Sequence, residues 1–138
     1  VRLKPFYWPV RVYWEDTDAG GVVYHASYLR YMERARTEWL RSLGLNQQQL
    51  AEREGRQFVV KTMDLDFVAP ARLDDQLAVK VPAKQFGRVV MRMDQAVQRD
   101  SDGQVICRAA VKAGCLDSTT LAPAPLPEQL YRELKNEQ

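Results

Sequence analysis

Residues 27–44 read SYLRYMERARTEWLRSLG, and this stretch decides the fold. Its apolar side chains recur at steps of three or four residues, which places them on one face of an α-helix. The stripe consists of Tyr28, Met32, Ala35, Trp39 and Leu43. Leu29 and Leu40 widen the apolar arc, and Gly44 is a typical residue for ending a helix. The sequence therefore predicts one long amphipathic helix whose apolar face must be covered.

One charged side chain, that of Arg36, falls inside this apolar arc. An unpaired charge would be costly to bury there. We therefore expect Arg36 to pair with a carboxylate, either that of Glu33 or one from a strand, and to serve the structure.

Most of the chain after this helix has the alternating apolar pattern of β-strands. The alternating runs lie at 59–69, 77–83, 89–97 and 105–115, with a turn at 100–103. The last three runs predict an antiparallel meander. An earlier strand is expected at 9–14, a short helix capped by Asn46 at 46–54, and a terminal helix at 128–135. These elements predict an α+β fold in which about five antiparallel strands cover the long helix.

Length and composition indicate one domain, residues 1–138, because 138 residues with 46% hydrophobic content can bury a single core. A core this small leaves little room for a deep pocket, so we expect a homo-oligomer with a shared site. The net charge of +2 comes from interleaved acids and bases, which does not favour nucleic acid as a partner. Without an apolar span or a signal-peptide pattern, a cytoplasmic location is expected.

The cysteine and histidine content bears on metal and redox chemistry. Cys107 and Cys115 lie on one predicted strand at roughly 26 Å, too far apart for a disulfide, and are expected to be buried. With one histidine and no C-x-x-C, the usual zinc ligand sets cannot be assembled within one chain. We expect no metal site, and no nucleotide-binding glycine motif indicates a cofactor.

The densest set of reactive residues lies at 13–25, YWEDTDAGGVVYH, between the first strand and the long helix. Asp18 could act as a nucleophile or as a general base, and His25 could polarise a carbonyl or orient the acid. The free N–H groups of a helix N-terminus would stabilise an oxyanion there. Alternatively, Asp16 and Asp18 are loop acids that stabilise turns, and His25 caps the helix. No G-x-S-x-G motif supports serine chemistry.

The run DTDAGGVVYHASYLRYMERAR at 16–36 resembles the signature of the 4-hydroxybenzoyl-CoA thioesterase family of hotdog proteins. More narrowly, WPVRVYWEDTDAGGVVYH at 8–25, FVV at 58–60 and APARLDD at 69–75 resemble its branch of acyl-CoA thioesterases associated with the Tol-Pal system, the YbgC type. The similarity runs from about Phe6 to Asp117. It implies a hotdog fold, in which an antiparallel sheet wraps around a long central helix, and a dimer or a homotetramer.

The resemblance also implies roles for particular residues. Asp18 matches the catalytic carboxylate, and His25 matches the position whose backbone N–H faces the thioester oxygen. The His25 side chain is characteristic of the Tol-Pal-associated branch, and we expect it to take part. Tyr24 would line the acyl pocket, although an aromatic residue there could equally be core. Arg88 lies near a position where the family binds coenzyme A phosphates; Lys61 and Arg72 are further candidates.

The function expected from these residues is hydrolysis of acyl-CoA to a free acid and coenzyme A. A thiolate is a stable leaving group, so a single carboxylate can suffice. One alternative is a hotdog hydratase or dehydratase. Another is a module with little turnover that binds acyl carrier protein or associates peripherally with the inner membrane.

Overall fold

The computed structural model describes residues 5–136, with backbone alone at 83, 84 and 136. The strands are β1 (Phe6–Arg11), β2 (Arg56–Phe67), β3 (Gln76–Val81), β4 (Ala83–Phe86), β5 (Val90–Arg99) and β6 (Val105–Asp117). The helices are α1 (His25–Ser42), α2 (Gln47–Glu54) and α3 (Glu128–Asn136). None of the helices in this described part is long and apolar enough to cross a membrane.

The six strands form one antiparallel sheet in the order β1-β3-β5-β6-β2, and the short β4 pairs with β5. The predicted meander is confirmed, because β3, β5 and β6 are neighbours in that order. The run predicted at 77–83 is divided between β3 and β4. Strands β1 and β2 are the two ends of this order, so each has one edge without a partner among the described strands.

Helix α1 lies against one face of the sheet and contacts β1, β3 and β5. The predicted stripe is confirmed, since Tyr28, Met32, Ala35 and Trp39 are buried and Leu43 is partly buried against the same core. Each large side chain buried in this way contributes roughly 1.5–3 kcal/mol. The expectation for Leu29 was wrong, because it lies at the edge of the arc and is exposed. Tyr31, which the pattern did not single out, is fully buried instead.

Alternation turns one face of each central strand toward the core, on the side of the sheet where α1 lies. In β6 the odd-numbered residues from Cys107 to Cys115 are buried, and in β5 the inward residues include Met91, Met93 and Val97. Helix α3 completes the core, with Leu130 and Leu134 buried. The architecture confirms the α+β prediction of a sheet that covers a central helix.

The partner of Arg36 differs from the expected carboxylate. Its Nη1 donates a hydrogen bond of 2.8 Å to Oε1 of Gln95, a buried residue of β5. The Gln95 amide in turn donates to the carbonyl of Met32 at 3.1 Å. Burial lowers the pKa of Arg36, while the nearby Glu33 carboxylate acts in the opposite direction. A neutral amide therefore replaces the expected carboxylate, because it can bond both the guanidinium and the helix backbone.

The element boundaries follow local hydrogen bonds. Strand β1 spans Phe6–Arg11 and not the predicted 9–14. It ends early because residues 14–16 form a 3-10 turn, in which the Asp16 carboxylate accepts the Tyr13 N–H at 2.9 Å. Helix α1 begins at His25, two residues before the predicted start, and is followed by Gly44 in the left-handed conformation (φ 84°). The Asn46 side chain caps α2 as predicted, accepting the Gln49 N–H at 3.0 Å.

Both cysteines are free and buried, as the sequence predicts. Burial raises the pKa of Cys107 to about 11 and also raises that of Cys115. Each thiol therefore remains protonated near neutral pH and packs as a small apolar side chain.

Candidate active site

The reactive stretch forms a loop between β1 and α1, which we call the acid loop (residues 12–24). Asp16 is buried and holds this loop together. Besides the carboxylate contact to Tyr13, its carbonyl accepts hydrogen bonds from the Tyr24 N–H at 2.8 Å and from the Ser27 hydroxyl at 3.2 Å. Asp16, the first acid of the motif, therefore stabilises the loop by joining its two ends. This is the structural role that the sequence offered as the alternative to chemistry.

The second acid, Asp18, is exposed. Its Oδ1 accepts the Gly20 N–H at 2.8 Å, and its own N–H donates to the Val22 carbonyl at 2.9 Å. Within the described residues, no donor reaches Oδ2. The carboxylate is thus fixed through one oxygen and presents the other to the surroundings.

Glycine is suited to the two positions beside Asp18 for different structural reasons. A Cβ at Gly20 would lie 3.1 Å from Asp18 Oδ1, closer than an ordinary contact. Gly21 has φ +78°, a left-handed conformation that glycine adopts without strain. Both positions therefore allow the tight turn that presents the carboxylate.

Helix α1 begins directly after the acid loop, at His25. The N–H groups of Tyr24 and Ser27 bond to the carbonyls of Asp16 and Tyr24, whereas the described residues provide no acceptor for the His25 N–H. This N–H also lies at the positive end of the helix dipole. It is suited to bind an oxygen that gains negative charge.

Aromatic rings surround the start of the helix. The Tyr24 and His25 ring centroids are 4.4 Å apart, and the His25 ring meets the edge of Phe67 at 6.2 Å. Phe67 also lies 6.0 Å from Tyr28. Tyr24 is 44% exposed and Phe67 is 50% exposed, so these two rings border the open side of the site. The sequence placed Tyr24 here but missed Phe67, which comes from the far end of β2.

A buried phenol lies beneath the loop. Burial and the neighbouring Asp16 carboxylate raise the pKa of Tyr31, so the hydroxyl remains neutral. A neutral phenol is compatible with its position in the core beside a carboxylate.

The three basic residues considered for binding coenzyme A phosphates lie in different parts of the fold. Arg72 is beside the acid loop, because it forms a bridge with Val22. Lys61 lies at a bulge of β2, with its side chain over Gly114. Arg88 lies beyond the opposite end of the sheet, where its carbonyl accepts the Leu126 N–H at 2.7 Å.

The register of β5 and β6 gives the scale of this separation. Val97 pairs with Cys107 near the acid loop, whereas Val90 pairs with Gly114 near Arg88. That stretch of β6 is about 24 Å long at roughly 3.4 Å per residue. The structure therefore places Asp18 and Tyr24 in the acid loop and His25 directly after it, whereas Arg88 lies at the other end of the sheet.

In the part of the chain that the structure describes, no group of three or more His, Cys, Asp and Glu side chains is arranged to hold a metal ion.

Comparison with known proteins gives concordant matches over most of the chain. The model of the Thioesterase-like superfamily matches residues 12–134. The chain is 43% identical to an acyl-CoA thioesterase YbgC of Haemophilus influenzae, over 91% of this chain and 90% of that protein. It is 44% identical to an acyl-CoA thioester hydrolase YbgC of Escherichia coli, over 94% of this chain and 96% of that protein.

Among solved structures, a 1,4-dihydroxy-2-naphthoyl-CoA thioesterase from Synechocystis superposes with a TM-score of 0.89 at 26% identity. The match covers 96% of this chain and 97% of that one. The sequence matches and this superposition agree with the geometry of sheet and helix. The chain therefore belongs to the thioesterase-like superfamily, with the hotdog fold.

Proposed function

We propose that the chain hydrolyses the thioester of an acyl-CoA to a free acid and coenzyme A, with Asp18 as the catalytic carboxylate. The observation that carries the proposal is the exposed Asp18 side chain, held through one oxygen by the Gly20 N–H in the turn that precedes α1. The family and its acyl-CoA-hydrolysing relatives support this choice of substrate class.

Asp18 has two possible roles, which need the same carboxylate in nearly the same place. As a general base, it removes a proton from water while the water oxygen attacks the carbonyl carbon. As a nucleophile, its oxygen attacks that carbon, giving a mixed anhydride that water then hydrolyses. In both cases the C–S bond breaks and the thiol of coenzyme A leaves, finally carrying a proton derived from water.

The start of α1 would stabilise the charge that develops on the thioester oxygen. The His25 N–H supplies a hydrogen bond there, assisted by the helix dipole. The His25 ring, held between Tyr24 and Phe67, orients the acyl group or the attacking water. The half-exposed Tyr24 ring lines the acyl side of the site.

We also propose a homo-oligomer in which the site is shared. The open edge of β2, with half-exposed Val60 and Phe67, supports a dimer in which two β2 strands pair antiparallel. In that arrangement the Arg56 end of one β2 meets the Phe67 end of the other. Arg88 of the partner subunit would then approach the acid loop and bind coenzyme A phosphates, with two such dimers forming a homotetramer.

The cellular setting forms part of the same proposal. A cytoplasmic location, a link to the Tol-Pal system and a peripheral association with the inner membrane rest on the resemblance of the acid loop to the Tol-Pal-associated branch. Acyl carrier protein is the alternative carrier of the acyl group.

The test is thiol release, followed with a disulfide dye, from acyl-CoAs of increasing chain length and from acylated acyl carrier protein. The variant is Asp18→Asn. The matched control is Asp64→Asn. Asp64 is an exposed residue of β2 that lies opposite Ala110 of β6, on the sheet face away from α1. We expect kcat/KM to fall at least about 100-fold in Asp18→Asn, as for loss of a general base, and to stay unchanged in the control.

Equal release from wild type and Asp18→Asn would refute the role of Asp18. Release from no substrate would refute hydrolysis and favour the binding module, whose capture of acyl carrier protein should not depend on Asp18. An enoyl or hydroxyacyl thioester without free thiol would identify a hydratase or dehydratase instead.

A further inference from the structure

Arg99, the last residue of β5, makes three side-chain contacts at the end of the sheet nearest the acid loop. Its Nη2 donates to the Pro70 carbonyl at 2.7 Å, and its Nε donates to Asp75 Oδ2 at 3.2 Å. Its Nη1 donates to Asp102 Oδ2 at 2.9 Å. The planar guanidinium therefore joins both ends of residues 70–75, which we call the support loop, to the β5–β6 turn.

The support loop contacts the acid loop at several points. The Ala71 carbonyl accepts the Val23 N–H at 2.9 Å, and Arg72 bridges Val22. At the other end, the Asp75 carbonyl accepts the Val12 N–H at 2.9 Å, and the Asp74 N–H donates to the Val12 carbonyl at 3.0 Å. The support loop thus holds the acid loop near its beginning and near its end.

The same loop also contacts the first turn of α1 and the turn that carries Asp18. The Ala71 N–H donates to the Tyr28 hydroxyl at 3.3 Å. Val22, which bridges Arg72, accepts the Asp18 N–H at 2.9 Å. The support loop therefore connects Arg99, through hydrogen bonds and the bridge between Arg72 and Val22, to the turn that carries Asp18.

The support loop contains one residue in a left-handed backbone conformation. Asp74 adopts φ 69°, in the left-handed region that most residues avoid. Its carbonyl accepts the Arg11 side chain at 2.7 Å. Because the loop lacks a regular helix or strand, its position depends on side-chain contacts of this kind. Arg99 provides two of them, to Pro70 and Asp75, and Arg11 provides one.

We propose that Arg99 is a positioning residue for thioester hydrolysis, which fixes the support loop and through it the Asp18 carboxylate and the start of α1. This inference rests on the proposed function of Asp18. Arg99 acts on the geometry of the site and not on the substrate, so its loss should lower kcat more than it changes KM. A misplacement of about 1 Å can cost about 100-fold in rate.

The experiment compares wild type with Arg99→Gln, Arg99→Lys and Arg108→Gln in thiol-release kinetics on one acyl-CoA. Arg108 is an exposed arginine of β6 on the sheet face away from α1, and it serves as the matched control. We expect kcat to fall at least tenfold in Arg99→Gln with KM within about twofold. Lysine offers one charged centre in place of a fork, so Arg99→Lys should give an intermediate kcat.

A second measurement separates positioning from general stability. Amide hydrogen exchange should accelerate at Val12 and Val23, whose N–H groups bond to the support loop, and should stay unchanged in the centre of β6. If Arg99→Gln does not fold, the same comparison is made with Arg99→Lys.

A kcat in the Arg99 variants equal to that of Arg108→Gln would overturn the inference. It would also be overturned by a lower kcat with unchanged exchange at Val12 and Val23. Failure of the proposed function is distinguishable, because wild type would then release no thiol or Asp18→Asn would match it.

Discussion

The hydrogen bonds of Gln95 should be worth several kilocalories per mole to the fold. Gln95 is 2% exposed; it accepts a hydrogen bond from Arg36 and donates one to the Met32 carbonyl in the middle of α1. The substitution Gln95→Leu keeps a similar volume and removes both bonds. It leaves the partly buried guanidinium of Arg36 without its amide acceptor.

The two bonds set the expected magnitude. A hydrogen bond to a charged group contributes about 1.5–3 kcal/mol, and a neutral one about 0.5–1.5 kcal/mol. Leucine regains part of this through apolar burial, so we expect the free energy of unfolding to fall by about 2–3 kcal/mol. The double variant Arg36→Met with Gln95→Leu removes the guanidinium together with its amide acceptor. The loss in free energy of unfolding in the double variant should be at least about 1 kcal/mol smaller than the sum of the losses in the two single variants.

The assay is urea unfolding followed by tryptophan fluorescence, at one fixed protein concentration because an oligomer is stabilised by concentration. Wild type, the two single variants and the double variant form a complete cycle. A loss below about 0.5 kcal/mol in Gln95→Leu would show that its hydrogen bonds contribute nothing net. Strict additivity of the two single losses would refute the coupling between Arg36 and Gln95.

Two further predictions concern Gly20 and Cys107. In Gly20→Ala the new Cβ would lie 3.1 Å from Asp18 Oδ1 and would displace the carboxylate. We expect kcat for thiol release to fall about tenfold, while the free energy of unfolding changes by less than about 1 kcal/mol. A kcat equal to that of wild type would contradict this reasoning. The Cys107 pKa is raised from 9.0 to about 11 in the fold, so between these values the unfolded chain loses the thiol proton while the folded chain retains it. The free energy of unfolding of wild type should therefore fall as pH rises from about 9 to about 11, and it should fall less steeply in Cys107→Ala. If urea unfolding shows the same pH dependence for both proteins, Cys107 does not cause this loss of stability.

The sequence predicted those parts of the fold that depend on local periodicity. The stripe of α1, the central strands β5 and β6 and the Asn46 cap are set by residues close in the chain, and they were found close to where the pattern indicated. The early end of β1 was not predicted, because it depends on a hydrogen bond from Tyr13 to a carboxylate that could equally have faced solvent. The Arg36 partner was missed because Gln95 lies 59 residues away in the chain.

The candidate site follows the same division. Asp18, Tyr24 and His25 lie within eight consecutive residues, so the motif was enough to place them together. Phe67 and Arg99 reach the site through strand pairing and through the support loop, and periodicity does not encode those contacts. Arg72 could not be ranked above Arg88 from sequence, because only the bridge to Val22 reveals which of them lies beside the acid loop.

The two acids of the motif differ in a way that residue types alone could not reveal. Asp16 is buried, and its carboxylate and carbonyl together accept three hydrogen bonds that close the acid loop. Asp18 is exposed and accepts one at its carboxylate, from Gly20. A carboxylate that is buried in the fold cannot readily approach a thioester, whereas an exposed one held through a single oxygen is oriented and still available. The loop thus uses its first acid to fix the geometry within which the second is proposed to act.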